Sequence, residues 1–277
     1  MHKTFCVVGT DARQTAAARA LREAGYTVTG AEGAGQAEII LLPMPLDAEQ
    51  ADLARILRAA QPGTLALGGR VSAPVQAAAA AAGVELIDYF LRPELACLNA
   101  VPTAEGCLCL LMQLRARTVW ESPVLVLGYG HIGRAVASRA RRLGGYVTVA
   151  ARSPEQRAAA RCADCRAVPL TALPRLLPGF DAVVNTIPAP VLGRTLLERL
   201  PAQALIVDLA SRPGGTDFVA AKSLGLRAEH ALSLPAKCAP QTAGELVVHT
   251  VLTILQERSA VPDPEINLAA QERSAAP

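Results

Sequence analysis

Residues 124–133 read Val-Leu-Val-Leu-Gly128-Tyr129-Gly130-His131-Ile132-Gly133, an apolar strand running into a G-x-G-x-x-G loop, with a helical stretch following over 134–143. In that strand–loop–helix context the glycines have separate tasks. Gly128 allows a tight turn, Gly130 lets backbone approach a pyrophosphate, and Gly133 permits close helix–strand packing, while the helix N-terminus faces the anion. The chemistry such a loop serves is hydride transfer with a nicotinamide dinucleotide, and the whole run 128–133 is the expected contact surface. The end of the next strand selects the nucleotide. An NAD site usually places Asp or Glu there to hold the ribose 2′-hydroxyl. Here the strand 147–151 ends in Arg152-Ser153, with Arg157 a turn later. A guanidinium and a hydroxyl suit a 2′-phosphate, so NADP is the expected cofactor, with NAD tolerated. A solvated surface arginine is the plainer alternative.

Other loops with unusual chemistry are Asn185-Thr186-Ile187-Pro188, Ser211 to Asp217, and the Pro-rich run from Pro235 through Lys237 to Gly244. Each alone is compatible with turn chemistry, but together, beside a nucleotide loop, they mark a candidate site. Earlier in the chain, Arg13 and Arg70 each follow a strand-like run. Arginines so placed suit a substrate carrying carboxylates, which guanidinium groups bind in a fork; pairing with neighbouring acids is the alternative. Glu105 falls at the start of a predicted helix, either as a first-turn carboxylate favouring the helix dipole or as an acid/base group.

Several function classes are excluded. Aromatics are 3% of the chain and the net charge is +3, which leaves neither the stacking platforms nor the basic field of a nucleic-acid partner. Apolar runs are short and interrupted, so no membrane span is expected. The four histidines form no His-x-x-x-His pair, and Cys162-Ala-Asp-Cys165 is a lone C-x-x-C, so no metal site is expected. Cys107 and Cys109 read as core. There is no P-loop and no G-x-S-x-G elbow. Seven cysteines without a secretory leader point to a reducing cytosol.

The elements that must position these residues alternate. Strands are expected at 5–8, 26–29, 38–42, 64–67 and 84–87, with helices at 12–24, from an Asp47 cap to residue 60, and at 74–82. A helix from 103 to about 115, opened by Pro102, precedes a second set of strands at 124–127, 146–150, 182–185, 205–209 and 226–228. A last amphipathic helix lies within 239–257. The expected fold class is therefore α/β, with two doubly wound parallel-sheet lobes, the second a Rossmann NAD(P)-binding domain. The expected divisions are a substrate-side lobe at 1–117, the Rossmann domain at 118–238, a closing helix at 239–258 returning toward the first lobe, and a mobile tail at 259–277. The cleft between two such lobes is the default binding site.

The combination of Asp11-x-Arg13-Gln14, Asn99-x-x-Pro-Thr103-Ala-Glu105-Gly106, the glycine loop, Asn185-Thr-Ile-Pro188, the run from Asp208 to Asp217 and Leu234-Pro-x-Lys237-x-Ala-Pro-x-Thr-Ala-Gly244 resembles the dipicolinate synthase A-subunit family of spore-forming bacteria. The similarity covers about residues 4–257. It differs from the family at His131, where Arg is common, and at Ala236, where Gly is common.

The resemblance implies an NADP-dependent dehydrogenase of the sporulation branch off lysine biosynthesis. It would oxidise a dihydrodipicolinate, formed by water loss from 4-hydroxy-tetrahydrodipicolinate, to pyridine-2,6-dicarboxylate. It also implies the flavoprotein-like dipicolinate synthase B-subunit, in the role of partner, and the mother-cell cytoplasm as location; a homo-oligomer is compatible. For such a dicarboxylate, Arg13 and Arg70 would anchor one carboxylate, with Thr103 or Ser211 donating to the other and Asn99 nearby. Glu105, Asp217 and Lys237 are the candidate bases. The rival readings are a two-lobe 2-hydroxy- or amino-acid dehydrogenase, for which His230 and His249 lack a partner motif, and a non-enzymatic NADP-sensing protein.

Overall fold

The computed structural model describes residues 3–46 and 52–260. The chain divides into two compact units, Met1–Leu95 with Gly244–Pro277, and Ala96–Ala243.

Among the described residues of the first unit, β1 (Thr4–Val7), β2 (Thr27–Thr29), β3 (Ile39–Leu41), β4 (Leu65–Gly68) and β5 (Glu85–Asp88) form one parallel sheet in the order β2-β1-β3-β4-β5. Helices α1 (Ala12–Glu23), α2 (Leu53–Ala59) and α3 (Ala73–Ala81) connect them. The period-2 alternation of the strands divides their side chains between two cores. Phe5, Val7, Ile39, Leu41, Leu65 and Leu67 enter one; Cys6, Ile40 and Ala66 enter the other. Strand order reverses between β1 and β3, so the crevice at their carboxyl ends is where such a sheet binds ligands.

The second unit repeats the plan. Helix α4 (Pro93–Leu114) carries the chain into it. Then come β6 (Pro123–Leu127), α5 (His131–Arg142), β7 (Tyr146–Ala150), α6 (Pro154–Cys162), β8 (Arg166–Val168), α7 (Leu173–Leu176), β9 (Ala182–Asn185), α8 (Arg194–Leu197), β10 (Leu205–Asp208), α9 (Phe218–Ser223), β11 (Arg227–His230) and α10 (Leu234–Cys238). The parallel sheet has the order β11-β10-β9-β6-β7-β8, the Rossmann arrangement, with its switch point between β6 and β9. Helix α11 (Pro240–Ala260) starts in this unit and continues in the first, where Val247, Val248, Val251, Ile254 and Leu255 join the core of Phe5 and Ile39. A Cβ at Gly244 would lie 2.6 Å from the Arg13 carbonyl oxygen and 2.7 Å from the Ala17 nitrogen, so glycine is what lets α11 touch α1.

The expected fold class is observed; several local readings change. Helix α4 opens at Pro93, not Pro102, which lies inside it. An internal proline costs a helix about 3 kcal/mol, and burial offsets this. Leu95 enters the first unit's core, while Ala104, Cys107, Leu108 and Leu111 enter the second's. That packing also makes α4, which has the length and apolarity to cross a membrane, a core helix. Cys109 is only half-buried, unlike Cys107. The first unit boundary falls within α4, at Leu95/Ala96, rather than after residue 117. The expected Asp47 cap lies outside the described residues. So do residues 261–277 of the expected tail, whereas Ser259 still belongs to α11.

Candidate functional site

The glycine loop lies at the switch point of the second sheet. Gly128, at φ 91°, turns the chain away from β6, and a Cβ there would meet Thr186 Oγ1 at 2.5 Å. Thr186 in turn donates to the Leu127 carbonyl at 2.8 Å, fastening the loop after β9 to the end of β6. A Cβ at Gly133 would lie 2.3 Å from the Gly128 carbonyl oxygen, so only glycine admits this contact between α5 and the loop. Among the described residues, Gly130 has nothing within 4 Å of where its Cβ would be. It is exposed and is the N-cap of α5, and among the described residues no side chain caps the helix's first N–H groups. Open backbone and uncapped donors fit a dinucleotide pyrophosphate.

The other loop residues divide. Tyr129 is 5% exposed and packs in the core, with the Arg134 guanidinium 5.4 Å above its ring. Burial pushes its phenol up. Its ring is therefore a packing element, which leaves its backbone as the part of Tyr129 that faces the loop. Ile132 also packs against this core. His131 is exposed, and its Nδ1 lies 3.2 Å from Cys97 Sγ on α4, a pairing across 34 residues that no sequence pattern announces.

At the end of β7, Arg152 is exposed. The Ser153 hydroxyl oxygen caps α6, accepting from the Gln156 N–H at 3.4 Å. Arg157 folds back, donating to the carbonyls of Ala151 (3.0 Å) and Arg152 (2.6 Å), so it braces this turn. Asn185 is fully buried: its amide donates to the Ile187 carbonyl (3.1 Å) and to Asp208 Oδ1 (2.9 Å), and accepts from the Ile187 N–H (3.1 Å). Both its donor hydrogens are used, which corrects its reading as a direct cofactor ligand; it shapes the loop carrying the exposed Pro188. Asp208, fully buried, is the hub that sequence reasoning missed. The one signal for it is an acid closing the otherwise apolar strand Leu-Ile-Val-Asp.

Of the three candidate bases, two are engaged. Asp217 is the N-cap of α9, accepting from the Ala220 N–H at 2.8 Å. Glu105 lies well inside α4, not in a first turn, and pairs with Arg139 of α5 at 3.3 Å. Lys237 is exposed in the last turn of α10, and among the described residues its ammonium has no partner. The segment expected as a proline-stiffened loop is thus a short helix. Pro235 stands at its start, where a missing N–H costs nothing. Ala236 is helical, and the left-handed residue is Ser233 at φ 59°. Helix α10 packs on α4 at Gly106, whose Cβ would lie 3.0 Å from Cys238 Sγ. On the same α4, Thr103 donates its hydroxyl to the Asn99 carbonyl at 2.7 Å, and both residues are half-buried. Ser211 is exposed in the loop after β10.

In the first unit, Asp11 caps α1 through the N–H groups of Arg13 (2.9 Å) and Gln14 (3.1 Å). The Arg13 side chain is buried and donates to the Met44 carbonyl in the loop after β3. Gln14 donates to the Val8 carbonyl at 2.8 Å, but its buried Oε1 has no partner among the described residues. Arg70 is exposed and left-handed at φ 54°, held by Asp88, which accepts from the N–H groups of Arg70 (3.0 Å) and Val71 (2.9 Å). Arg13, in the first turn of α1, and Arg70, in the loop after β4, thus both follow strands at the carboxyl edge of the first sheet.

Comparison with known proteins agrees with this geometry. Residues 110–212 match the D-isomer specific 2-hydroxyacid dehydrogenase family, NAD binding domain. Over 184 residues the chain is 38% identical to the A-subunit of dipicolinate synthase from Bacillus subtilis (strain 168), an alignment spanning 66% of this chain and 61% of that protein. The crystal structure of the A-subunit of dipicolinate synthase from Bacillus subtilis superposes with a TM-score of 0.82 at 30% identity, covering 94% of this chain and 98% of that one. That of its counterpart from Bacillus halodurans superposes with a TM-score of 0.83 at 26% identity, with the same coverage.

Proposed function

Since the chain belongs to the dipicolinate synthase A-subunit family, we propose that it is an NADP-dependent oxidoreductase forming pyridine-2,6-dicarboxylate from a dihydrodipicolinate, itself derived from 4-hydroxy-tetrahydrodipicolinate. The observation that carries this reading is the glycine loop at the Rossmann switch point, open at Gly130 and closed at Gly133, in a chain that superposes on a family structure over nearly its whole length.

The nicotinamide, when bound, supplies the hydride acceptor. The chain supplies the rest. Backbone N–H groups at the start of α5 hold the pyrophosphate, and Thr186 and Asn185 fix the loops beside it. Arg152 and the Ser153 hydroxyl bind a 2′-phosphate, with Arg157 bracing their turn. Oxidation of the ring also requires a proton to leave a carbon neighbouring the hydride-bearing one. Lys237 is the group left available for that proton or for a substrate carboxylate, because Asp217 is committed to a cap and Glu105 to Arg139. Arg13 and Arg70 are proposed carboxylate anchors, and Asn99, Thr103 and Ser211 polar contacts. Aromatisation favours the product, so orientation is the main catalytic demand.

The proposal extends to work with a flavoprotein-like B-subunit, in the cytoplasm of a sporulating mother cell. The test mixes purified protein, NADP and freshly made 4-hydroxy-tetrahydrodipicolinate, with and without the B-subunit, and follows NADPH and pyridine absorbance together. Equal amounts of both products are expected. NADPH without the pyridine, or turnover of simple 2-hydroxy acids instead, sinks the reading. The 2-hydroxy-acid alternative is disfavoured because His230 Nε2 bonds the Ala210 carbonyl at 2.9 Å and its ring stacks on Phe218.

A further inference from the structure

Cys97 lies on the exposed side of α4, four residues into the helix, and His131 is the first residue of α5. Their Sγ···Nδ1 separation is 3.2 Å, and among the described residues neither side chain has another hydrogen-bond partner. The remaining thiols differ. Cys6 is buried and its thiol is pushed up to about 11 by burial; Cys107 and Cys165 are also pushed up by burial. Cys109 is half-buried, and Cys162 and Cys238 are exposed, but among the described residues none of the three has a base within hydrogen-bond distance. Cys97 alone thus combines access, an imidazole that can take its proton, and the positive end of a 12-residue helix with no acid in its first turn. Those three features place an accessible nucleophilic sulfur against a proton acceptor.

From this juxtaposition we infer that Cys97 is a thiol-modification site that gates the dinucleotide loop: it exchanges with low-molecular-weight disulfides, and the resulting adduct blocks cofactor entry. The exchange balances without any further reagent. The Cys97 thiol gives its proton to His131 Nδ1, and its sulfur attacks one sulfur of the disulfide. A Cys97–sulfur bond forms as the reagent's own sulfur–sulfur bond breaks. The departing thiolate takes the proton from His131 and leaves as a thiol. Cys97 is oxidised, half of the reagent is reduced, and a second thiol reverses the change. The adduct would grow from a sulfur touching His131, next to Gly130, the residue whose open side receives the pyrophosphate. The gating half of the inference rests on the dinucleotide reading of residues 128–133; the reactivity half does not.

The experiment treats the full chain, freed of reductant, with 5,5′-dithiobis(2-nitrobenzoate), following the coloured thiolate and mapping labelled peptides by mass. Cys97 is expected to react first, roughly tenfold or more ahead of Cys162 and Cys238. Saturating NADP should slow that phase alone. The Cys97 adduct should fail to quench or enhance NADPH fluorescence until dithiothreitol restores it. Cys97→Ser should lose the fast phase while still binding NADPH, and His131→Asn should slow it with the thiol still present. Equal early labelling of Cys97, Cys162 and Cys238 overturns the reactive thiol. Fast labelling of Cys97 with undiminished NADPH binding by the labelled chain overturns the gate. If the unlabelled chain does not bind NADPH either, the gate falls together with the dinucleotide reading, and the order of labelling still decides the thiol.

Discussion

Asn185 Nδ2 donates to Asp208 Oδ1 at 2.9 Å, tying together the carboxyl ends of β9 and β10 where both side chains are fully buried. Asp208 also accepts from the N–H groups of Ala210 (3.0 Å) and Gly215 (2.9 Å). Asp208→Ala leaves three buried donors without an acceptor. At about 1–3 kcal/mol for each stranded group, a loss of roughly 4 kcal/mol is expected. Urea unfolding of the variant checks this; a loss under about 1 kcal/mol would mean that water replaces the carboxylate.

The glycine loop offers a contrast within three residues. Gly133→Ala forces a methyl against the Gly128 carbonyl, so both melting temperature and NADPH binding should fall. Gly130→Ala meets open space at a φ of −78° that alanine accepts, so melting should be unchanged. Its methyl would stand in the pyrophosphate's approach, and affinity should drop roughly tenfold or more, about 1.4 kcal/mol or beyond. Fluorescence titration beside a melting curve separates the two cases.

Arg152 closes β7 where an acid would select NAD. Arg152→Asp turns a charge-assisted contact into a repulsion, so NADP affinity should fall far more than NAD affinity. Equal losses in parallel titrations would remove Arg152 from 2′-phosphate recognition.

Lys237→Ala should abolish most turnover while fold and NADP affinity remain. Lys237→Arg should restore part of the rate if the ammonium anchors a carboxylate, and little if it moves a proton. Steady-state kinetics on both variants decide between the roles, and near wild-type turnover in Lys237→Ala would exclude Lys237 from the site.

Acid should loosen the first unit through Arg92, which pairs with Glu94 and, at 2.6 Å, with Glu257. Glu94 is held below the usual carboxylate range first by its own backbone N–H and then by Arg92; Glu257 is held down by Arg92. A carboxylate whose pKa is lower folded than unfolded contributes stability above its unfolded pKa and loses it as pH falls through the folded one. Melting temperature should therefore decline between about pH 5 and 3, and Arg92→Leu should make that decline shallower. The pairs are partly exposed, so the difference is small and is best read at low salt.

The sheets were legible because buried parallel strands write themselves as apolar runs: 146–150 and 182–185 are observed at the bounds their hydrophobicity implies. Strand β8 is three residues long, too short to carry a period. The glycine loop was legible because its strand and helix flank it in sequence. Features depending on distant partners were not. Pro102 reads as a helix start until the burial of Leu95 and Ala104 on either side is known. Two prolines around Lys237 read as a loop, although Pro235 stands in the first turn of α10 and Pro240 opens α11. Asp217 and Glu105 looked available because a cap and a cross-helix ion pair leave no mark at the residue itself. Cys97 and His131 meet through packing alone.

Helices α4 and α11 make the second unit an unbroken stretch of chain and the first unit two separate stretches. During synthesis, then, Ala96–Ala243 has left the ribosome in full while the earlier-made sheet still lacks Val247, Val251 and Ile254 from its core. The nucleotide-loop unit can be finished first, and the N-terminal sheet must wait with an apolar face uncovered until the last helix emerges. Stalled or prematurely ended chains should therefore present that face to chaperones, even when their Rossmann sheet is already complete.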